Sequence, residues 1–587
     1  MVRTGAGSSE PRWSLRDGLA ATGLFLATAA VVLWQNAHVA VLFDLSYILN
    51  TAERIALGQV PYRDFPLAHP PLTFLTQAAI IRLTGRVVFH HVLYTAIVGG
   101  LGTVLAWRIA LGLQRGRVAA AWPVALLVAL PLTVLGIYCI VPNPEYDCDC
   151  GFWIVVAVYM LLRLNAETGA AFGFAAGAAL SVPLFFKQNM GLPLLLVAII
   201  AVLVSLAMNG RRRIQAAGPS SRTLLSVLAG ACVTLAVAVL ALQATAGIGN
   251  YLHWTIAYAG QRRLPGFSLM LGVYRDPALL WTLPCVAVAL VLLWKGSKLR
   301  WTRVAAFALI AAPFIFTLAS LFHYDDADER GDSLLALWPL LLVLAAALAI
   351  ANLFRLRTEP PIRAFLPLIL LAAIHGTFMS QQLWGSTYGI WPLLVLLVAE
   401  LLVFVEQLSV RASSPWFVPA LAALVSVTLL VCGGFYTASE ERLSYANFPD
   451  GPPAHSAYPQ LAGLATPGPY LPEIDELLRY AQANIPFDDG IVLVPGEEPF
   501  YFATGRTPRF PVPFFDPTID PYSPAEIASL MQSHNIRWLI VKRNLQLTED
   551  PTPQREATLN ALMSGFTQVT KLQGYDVYQR RSDLNGQ

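Results

Sequence analysis

Leu19-Ala20-Ala21-Thr22-Gly23-Leu24-Phe25-Leu26-Ala27-Thr28-Ala29-Ala30-Val31-Val32-Leu33-Trp34 runs without a charge and soon gives way to Phe43-Asp44-Leu45-Ser46-Tyr47. An apolar run of this kind suits a helix crossing a hydrocarbon core. The chain then re-enters water at an aspartate, in a loop that continues through Pro61-Tyr62-Arg63-Asp64-Phe65 and His69-Pro70-Pro71. Such a loop, dense in Pro, His, Arg and aromatic residues, reads as a site at a membrane face. Arg3, Arg12 and Arg16 ahead of the run suggest a signal peptide. No small-residue cleavage site follows and more apolar runs do, so the run is read as a retained first helix.

Composition points the same way. Of 587 residues 56% are hydrophobic and only 13% charged, with a mean hydropathy of +0.57. A soluble chain carries about twice that charged fraction, so the sequence reads as a polytopic membrane protein. A net charge of +3 and no basic cluster longer than Arg211-Arg212-Arg213 argue against nucleic acid as a partner.

Continuous rather than alternating apolar runs predict helices and not a barrel. Thirteen spans are expected, near 18–36, 88–112, 118–139, 150–163, 170–186, 190–208, 223–245, 277–294, 303–322, 333–353, 364–382, 389–408 and 416–436. Arg115 and Arg117, Arg163, Arg211 to Arg213, Lys295 to Arg300, Arg355 to Arg363 and Arg411 fall in alternate loops with the N-terminus. The positive-inside rule makes that side cytoplasmic. The expected location is a bacterial inner membrane, with everything after about Thr437 outside. The chain divides into a transmembrane part, 1–436, with a long outer loop, 37–86; a Pro- and Gly-rich linker, 437–469; and a tail, 470–587. In the tail, helices expected at Pro472–Ala483, Ser523–His534 and Gln554–Met563 alternate with strands at Ile491–Val494, Arg537–Lys542, Phe566–Val569 and Tyr575–Tyr578. That alternation predicts a small α/β domain.

The outer loop is too long for a connector and too apolar for disorder. Leu45, Ile48, Leu49, Ala52 and Ile55 share a helical face, which suits a helix lying along the membrane surface. Asp44 at its start has two readings on spacing, a helix cap or a catalytic carboxylate. The next outer loop, Pro142-Asn143-Pro144-Glu145-Tyr146-Asp147-Cys148-Asp149-Cys150, adds Glu145, Asp147 and Asp149. It reads either as a solvated loop or as a second acidic cluster meeting Asp44 over a sugar or a divalent cation. Lys187, Arg262, Arg263 and Arg330 are basic groups on the outer side, against the topological trend. They suit a lipid phosphate, headgroup snorkelling or pairing with nearby acids. Cys148 and Cys150 are too close for an easy mutual disulfide, and a bridge from Cys139 stays open. Cys232, Cys285 and Cys432 are expected as small buried hydrophobes.

These residues resemble the GT-C superfamily of integral-membrane glycosyltransferases, in the glycosyltransferase family 39 branch related to protein O-mannosyltransferases and lipid A aminoarabinose transferases. The matching features are an Asp after the first span, Gly58-Gln59-Val60-Pro61-Tyr62-Arg63-Asp64-Phe65, His69-Pro70-Pro71-Leu72 and Phe186-Lys187-Gln188-Asn189-Met190-Gly191, over about the first 440 residues. The resemblance implies a GT-C fold and inverting transfer of a sugar from a polyprenyl-phosphate donor to an acceptor hydroxyl on a glycan, lipid or protein. It implies Asp44 as general base, with Lys187, Arg262, Arg263 and Arg330 on the donor phosphate. Tyr62, Arg63, Asp64 and His69 would support the loop. Leu45 follows Asp44 where many protein mannosyltransferases carry Glu, which weakens protein O-mannosylation as the activity. Two other readings are a glycolipid transporter or flippase, and a non-catalytic scaffold. The first is disfavoured because the charges sit at span ends rather than mid-membrane.

Overall fold

The computed structural model describes residues 13–211, 218–262, 267–295, 299–324, 334–356, 360–379, 388–411, 414–439, 441–443, 445–515, 521–547 and 553–581. Among these, eight helices are long and apolar enough to cross a membrane: Leu15–Asn36, Val88–Gln114, Gln188–Asn209, Ser221–Thr245, Arg300–His323, Leu337–Phe354, Trp391–Val410 and Phe417–Ala438. Each other expected span also contains helix, but shorter or broken. The run 118–139 becomes α5 (Ala121–Ala129) and α6 (Leu132–Leu135), split at Pro131. In the run 170–186, α8 (Ala170–Ser181) tightens into a 3₁₀ turn at Val182–Phe185, where Pro183 removes a backbone donor.

The bundle is held by small residues at close crossings. α1 (Leu15–Asn36) packs along α4 (Val88–Gln114). α8 packs along α10 (Ser221–Thr245) through glycines: a Cβ on Gly177 would lie 1.9 Å from the Val227 carbonyl, and one on Gly230 2.0 Å from that of Phe174. Such backbone-to-backbone contact suits a medium where apolar burial alone gives no preference between helix and lipid. The outward residues Leu225, Val233, Val237 and Leu240 of α10 are exposed, as a lipid-facing stripe would be.

At one end of the bundle sits the tail domain. Its mixed sheet has the order β3-β4-β6-β5 (Gly490–Val494, Ile536–Lys542, Tyr575–Arg580, Phe566–Lys571). β3 and β4 are parallel, and the crossover between them carries the helix Pro524–Ser533. That helix starts with a reciprocal Ser523–Glu526 capping box. The segment expected as a linker is structured as well. It forms a two-stranded ribbon, β1 (Ala454–His455) with β2 (Ala465–Thr466).

The loop 37–86 holds α2 (Leu42–Ala56) and α3 (Leu72–Thr84). The surface-lying α2 expected from its apolar face is corrected here, because every residue from Leu45 to Ile55 is buried. The apolar face (Leu45, Ile48, Leu49, Ala52) joins a core that also contains Leu471, Phe500, Phe502, Trp538 and Ile540 of the tail. Burial of each large apolar side chain contributes about 1.5–3 kcal/mol, which seals the loop and the tail together.

Candidate functional site

The polar face of α2 fixes its position. Ser46, Asn50 and Arg54 recur at helical spacing, and each bonds backbone carbonyls of the tail. Ser46 Oγ donates to Glu497 O (2.6 Å), Asn50 Nδ2 to Glu498 O (2.8 Å) and Arg54 Nη2 to Phe510 O (2.7 Å). Asn50 Oδ1 in turn accepts from Phe502 N–H at 3.1 Å. The N-terminus of α2 is capped from the tail. Gln546, fully buried, accepts from Leu42 N–H (2.7 Å) and donates to Ala40 O (3.0 Å). Gln546 is itself held by Glu497, whose carboxylate accepts from Gln546 N–H (3.0 Å), Leu547 N–H (3.0 Å) and the buried Lys542 ammonium (2.8 Å).

Gln546→Leu leaves the buried Leu42 N–H and Ala40 carbonyl without partners, a loss of about 1–3 kcal/mol. The expected result is a lower melting temperature, which melting curves on the purified full chain check.

This arrangement removes the cap reading of Asp44. The N-cap residue is Val41, without a side-chain cap, and the first helical N–H goes to Gln546. Asp44 Oδ2 instead accepts from the Tyr445 hydroxyl at 2.6 Å. Tyr445 comes from the segment expected to be only a linker. Burial, reinforced by the charge of Asp147 and opposed by the Tyr445 hydrogen bond, pushes the Asp44 carboxyl up to about 6.

The second acidic loop meets Asp44 but divides in its roles. Glu145 is the buried residue preceding α7 (Tyr146–Leu162). Burial, with the charges of Asp44 and Asp147, holds its carboxyl well above the usual range. Asp147 forms a buried ion pair with Lys187, whose ammonium also lies 5.4 Å from the centroid of the Tyr146 ring. Asp149 turns away. Its carboxylate is satisfied by three hydroxyls, Thr73 (2.7 Å), Tyr94 (2.6 Å) and Tyr138 (2.6 Å), and so ties α3 and α4 to α7. Among the described residues no three His, Cys, Asp or Glu side chains are arranged to hold a metal ion. With Lys187 on Asp147 and hydroxyls on Asp149, the donor set does not suit a divalent cation.

The loop residues divide too. His69 stacks on Tyr146 (4.1 Å between centroids), its ring contacts the Tyr47 hydroxyl (3.0 Å), and its carbonyl accepts from Tyr62 O–H (2.7 Å). Tyr62 and His69 therefore brace the wall beside Lys187. Arg63 and Asp64 do not reach it. They pair with each other at the surface (2.8 Å), and Asp64 accepts from Val60 N–H within a local turn. Lys187 closes the 3₁₀ turn before α9 (Gln188–Arg211), and Gln188 Nε2 donates to Thr255 O (2.8 Å) in the irregular helical segment 248–258. Arg262 ends a short helix just beyond it, though its side chain lies outside the described residues, as do Arg263 and Arg330 altogether. The six cysteines are free. Cys232 faces outward rather than into the core, while Cys432 is buried as expected and Cys285 is half-buried.

Sequence reasoning missed Tyr388, Tyr445 and Gln546. Tyr388 is buried within electrostatic reach of Asp44, Glu145 and Asp147. It is placed by Gly389, where an added Cβ would lie 2.7 Å from the Asp147 carbonyl and 2.9 Å from the Cys148 Cα. Beside the site runs an apolar groove of about 660 Å³, between the loop residues Tyr62, Pro71 and Leu72 and the residues Phe185, Val237 and Ala241. Phe185 is two positions before Lys187 in the chain, and the groove's described lining includes neither Lys187 nor Asp147.

The fold and this site define an integral membrane protein in which a small α/β domain closes over a carboxylate-rich centre at one end of a helical bundle. Among solved structures it is similar to ArnT from Cupriavidus metallidurans bound to undecaprenyl phosphate (13% identity, 96% of this chain and 98% of that one, TM-score 0.43). It is also similar to the oligosaccharyltransferase AglB from Archaeoglobus fulgidus in complex with an inhibitory peptide and a dolichol-phosphate (12%, 90% and 70%, TM-score 0.42). A third is the arabinofuranosyltransferase AftD from Mycobacteria (14%, 97% and 40%, TM-score 0.41). At these identities the likeness is one of chain path, and no residue role is carried across. No family model and no curated protein matches the chain.

Proposed function

We propose that this protein is a membrane glycosyltransferase that moves a sugar from a polyprenyl-phosphate donor to an acceptor hydroxyl, with inversion, on the outer face of a bacterial inner membrane. The observation that carries the reading is the meeting of three unlike parts at one place. A half-buried carboxylate (Asp44) and a buried lysine (Lys187) share the acidic centre through Asp147, and an apolar groove is lined by Phe185, two positions before the lysine in the chain. Sugar transfer from a lipid phosphate needs each of them: a base for the acceptor, a cation for the leaving phosphate and a place for the isoprenoid tail.

In the proposed step the acceptor oxygen attacks the anomeric carbon and gives its proton to Asp44. The bond from that carbon to the phosphate oxygen breaks, and its electron pair stays on the phosphate. Lys187 meets that growing charge where water is scarce and electrostatic effects are large. Donor and acceptor held in one crevice supply the orientation. Arg262, Arg263 and Arg330 remain proposed phosphate contacts. The acceptor class, the sugar and the division at 437–469 into membrane, linker and outer parts belong to the same proposal. A flippase would show transport without transfer.

The test follows label from a polyprenyl-phosphate-linked sugar into product in membranes containing the protein, across pH. Asp44 is active as the carboxylate, whose fraction grows as pH rises through about 6. Transfer therefore falls on the acid side, about tenfold per pH unit well below 6. Tyr445→Phe removes the hydrogen bond that holds the Asp44 carboxyl down, so its acid limb moves to higher pH. An acid limb unmoved by Tyr445→Phe overturns Asp44 as the base. Absence of label transfer by the wild-type protein from the panel of polyprenyl-phosphate sugars overturns the donor class.

A further inference from the structure

Where the tail domain meets α2, one buried ammonium faces two buried carboxylates. Lys542 Nζ, on β4, lies 2.8 Å from Glu497 and 3.8 Å from Glu498, and all three side chains are shut off from solvent. Glu497 takes the short contact and accepts two backbone N–H bonds besides, a set of donors that suits an ionised carboxylate. Among the described residues neither Glu498 oxygen has a hydrogen bond of ordinary geometry. One cation offsets one anion, and a second negative charge in this buried seam would stay uncompensated. Burial foremost, with the charge of Glu497, pushes the Glu498 carboxyl up to about 7 against the pull of Lys542. The other elements packed here do not relieve it. β6 turns the Tyr575 hydroxyl toward Glu498, the helix Phe500–Thr504 brings Tyr501, and the helix Tyr470–Asn484 adds a further acid, Glu473, bound by Asn544 at 2.5 Å. From α2 come the neutral Asn50 and Arg54, which is coupled to Tyr501 and bonds the Phe510 carbonyl.

The place of Glu498 in the chain gives its protonation leverage over α2. Its own carbonyl accepts from Asn50, the carbonyl before it accepts from Ser46, and Phe502 N–H just beyond it donates to Asn50. The neighbouring Glu497 carboxylate holds Gln546, which caps α2. We infer that Glu498 carries a proton in the closed protein, and that this proton locks the tail domain onto α2, so that the joint is tight in acid and loosens as pH rises to neutral. Opening the seam to water returns Glu498 to the ordinary glutamate value of 4.5, against about 7 when closed. A raised value in the closed form stabilises that form fully below the open-state value, and the gain is gone above the closed-state one. The open fraction therefore grows roughly tenfold per pH unit between about 4.5 and 7 and levels off beyond.

Hydrogen–deuterium exchange reads that fraction, by mass spectrometry of peptides covering 42–56 and 495–504 in the full chain held in lipid nanodiscs. Wild type is compared with Glu498→Gln, which mimics the protonated acid, at matched pH from 4.5 to 8.5. Base catalysis of exchange and the titration of Asp44, Glu145 and Glu473 are then common to both. The expected wild-type to variant ratio of exchange rates rises at least about thirtyfold by pH 7 and is flat above it. Tyr575→Phe removes the hydroxyl that steadies the charged form of Glu498, so its plateau begins at a higher pH than in wild type. Peptides of α1 keep a constant ratio throughout. A ratio at 42–56 and 495–504 that is constant across the range overturns the inference, and an equal rise in α1 overturns it as well, since the whole chain is then unfolding. Where Glu498→Gln fails to fold, wild type against Tyr575→Phe decides, and a plateau at the same pH in both overturns the role of Glu498.

Discussion

Asp44→Asn is expected to lower sugar transfer by about 10²–10⁴-fold, the usual contribution of a positioned base, and yet to yield a more stable protein. Both effects have one origin. Burial pushes the Asp44 carboxyl up to about 6, so the folded chain holds a proton there more tightly than the unfolded one. A group with a raised folded pKa contributes stability below its unfolded value, and that contribution is lost as pH rises through the folded one. At neutral pH the ionised Asp44 therefore costs on the order of 1–3 kcal/mol. Asparagine keeps the acceptor for Tyr445 and removes the charge. The melting temperature of the variant should exceed wild type at pH 7.5, and the gap should close near pH 4. Normal transfer by the variant sinks the catalytic assignment, and a lower melting temperature at pH 7.5 sinks the account of its burial.

Lys187→Met is expected to do the opposite to stability. It strands Asp147 as a buried, uncompensated charge, and removing one partner of such a pair costs about 3–5 kcal/mol. The single variant should express poorly. Pairing it with Asp147→Asn removes the second charge, so folding and yield recover. If Lys187 serves only to satisfy Asp147, transfer recovers with them. If it meets the departing phosphate, the double variant folds and stays inactive, with its largest defect in turnover. Thermal melts alongside labelled transfer distinguish the two, and recovery of transfer removes Lys187 from the proposed chemistry.

The parts of this molecule that answer to a bilayer were legible in its sequence. A chain cannot leave backbone groups unbonded in hydrocarbon, so each apolar run had to hold helix, and every one does. The tail was legible for a related reason: Ser523, Pro524 and Glu526 announce a helix start, and Ile491–Val494 and Arg537–Lys542 announce strands. What stayed hidden depends on long-range placement. Glu145, Asp147 and Asp149 looked alike as three carboxylates in one loop, and their fates diverge only because Lys187, Thr73, Tyr94 and Tyr138 arrive from four other segments. Tyr445 lies 401 positions from the aspartate it touches, within a stretch that composition marks as a spacer. The four-residue spacing of Ser46, Asn50 and Arg54 was a usable signal of a second buried face on α2. The apolar stripe beside it drew the reading toward the membrane surface instead.

That polar spine reads main-chain atoms. Ser46, Asn50 and Arg54 reach the carbonyls of Glu497, Glu498 and Phe510, which every amino acid offers. These three bonds do not depend on which residues supply the carbonyls, whereas the apolar packing of Leu471, Phe500 and Ile540 and the Gln546 cap do depend on side chains. Substitutions confined to the exposed surface of the tail therefore leave the helix that bears Asp44 where it is.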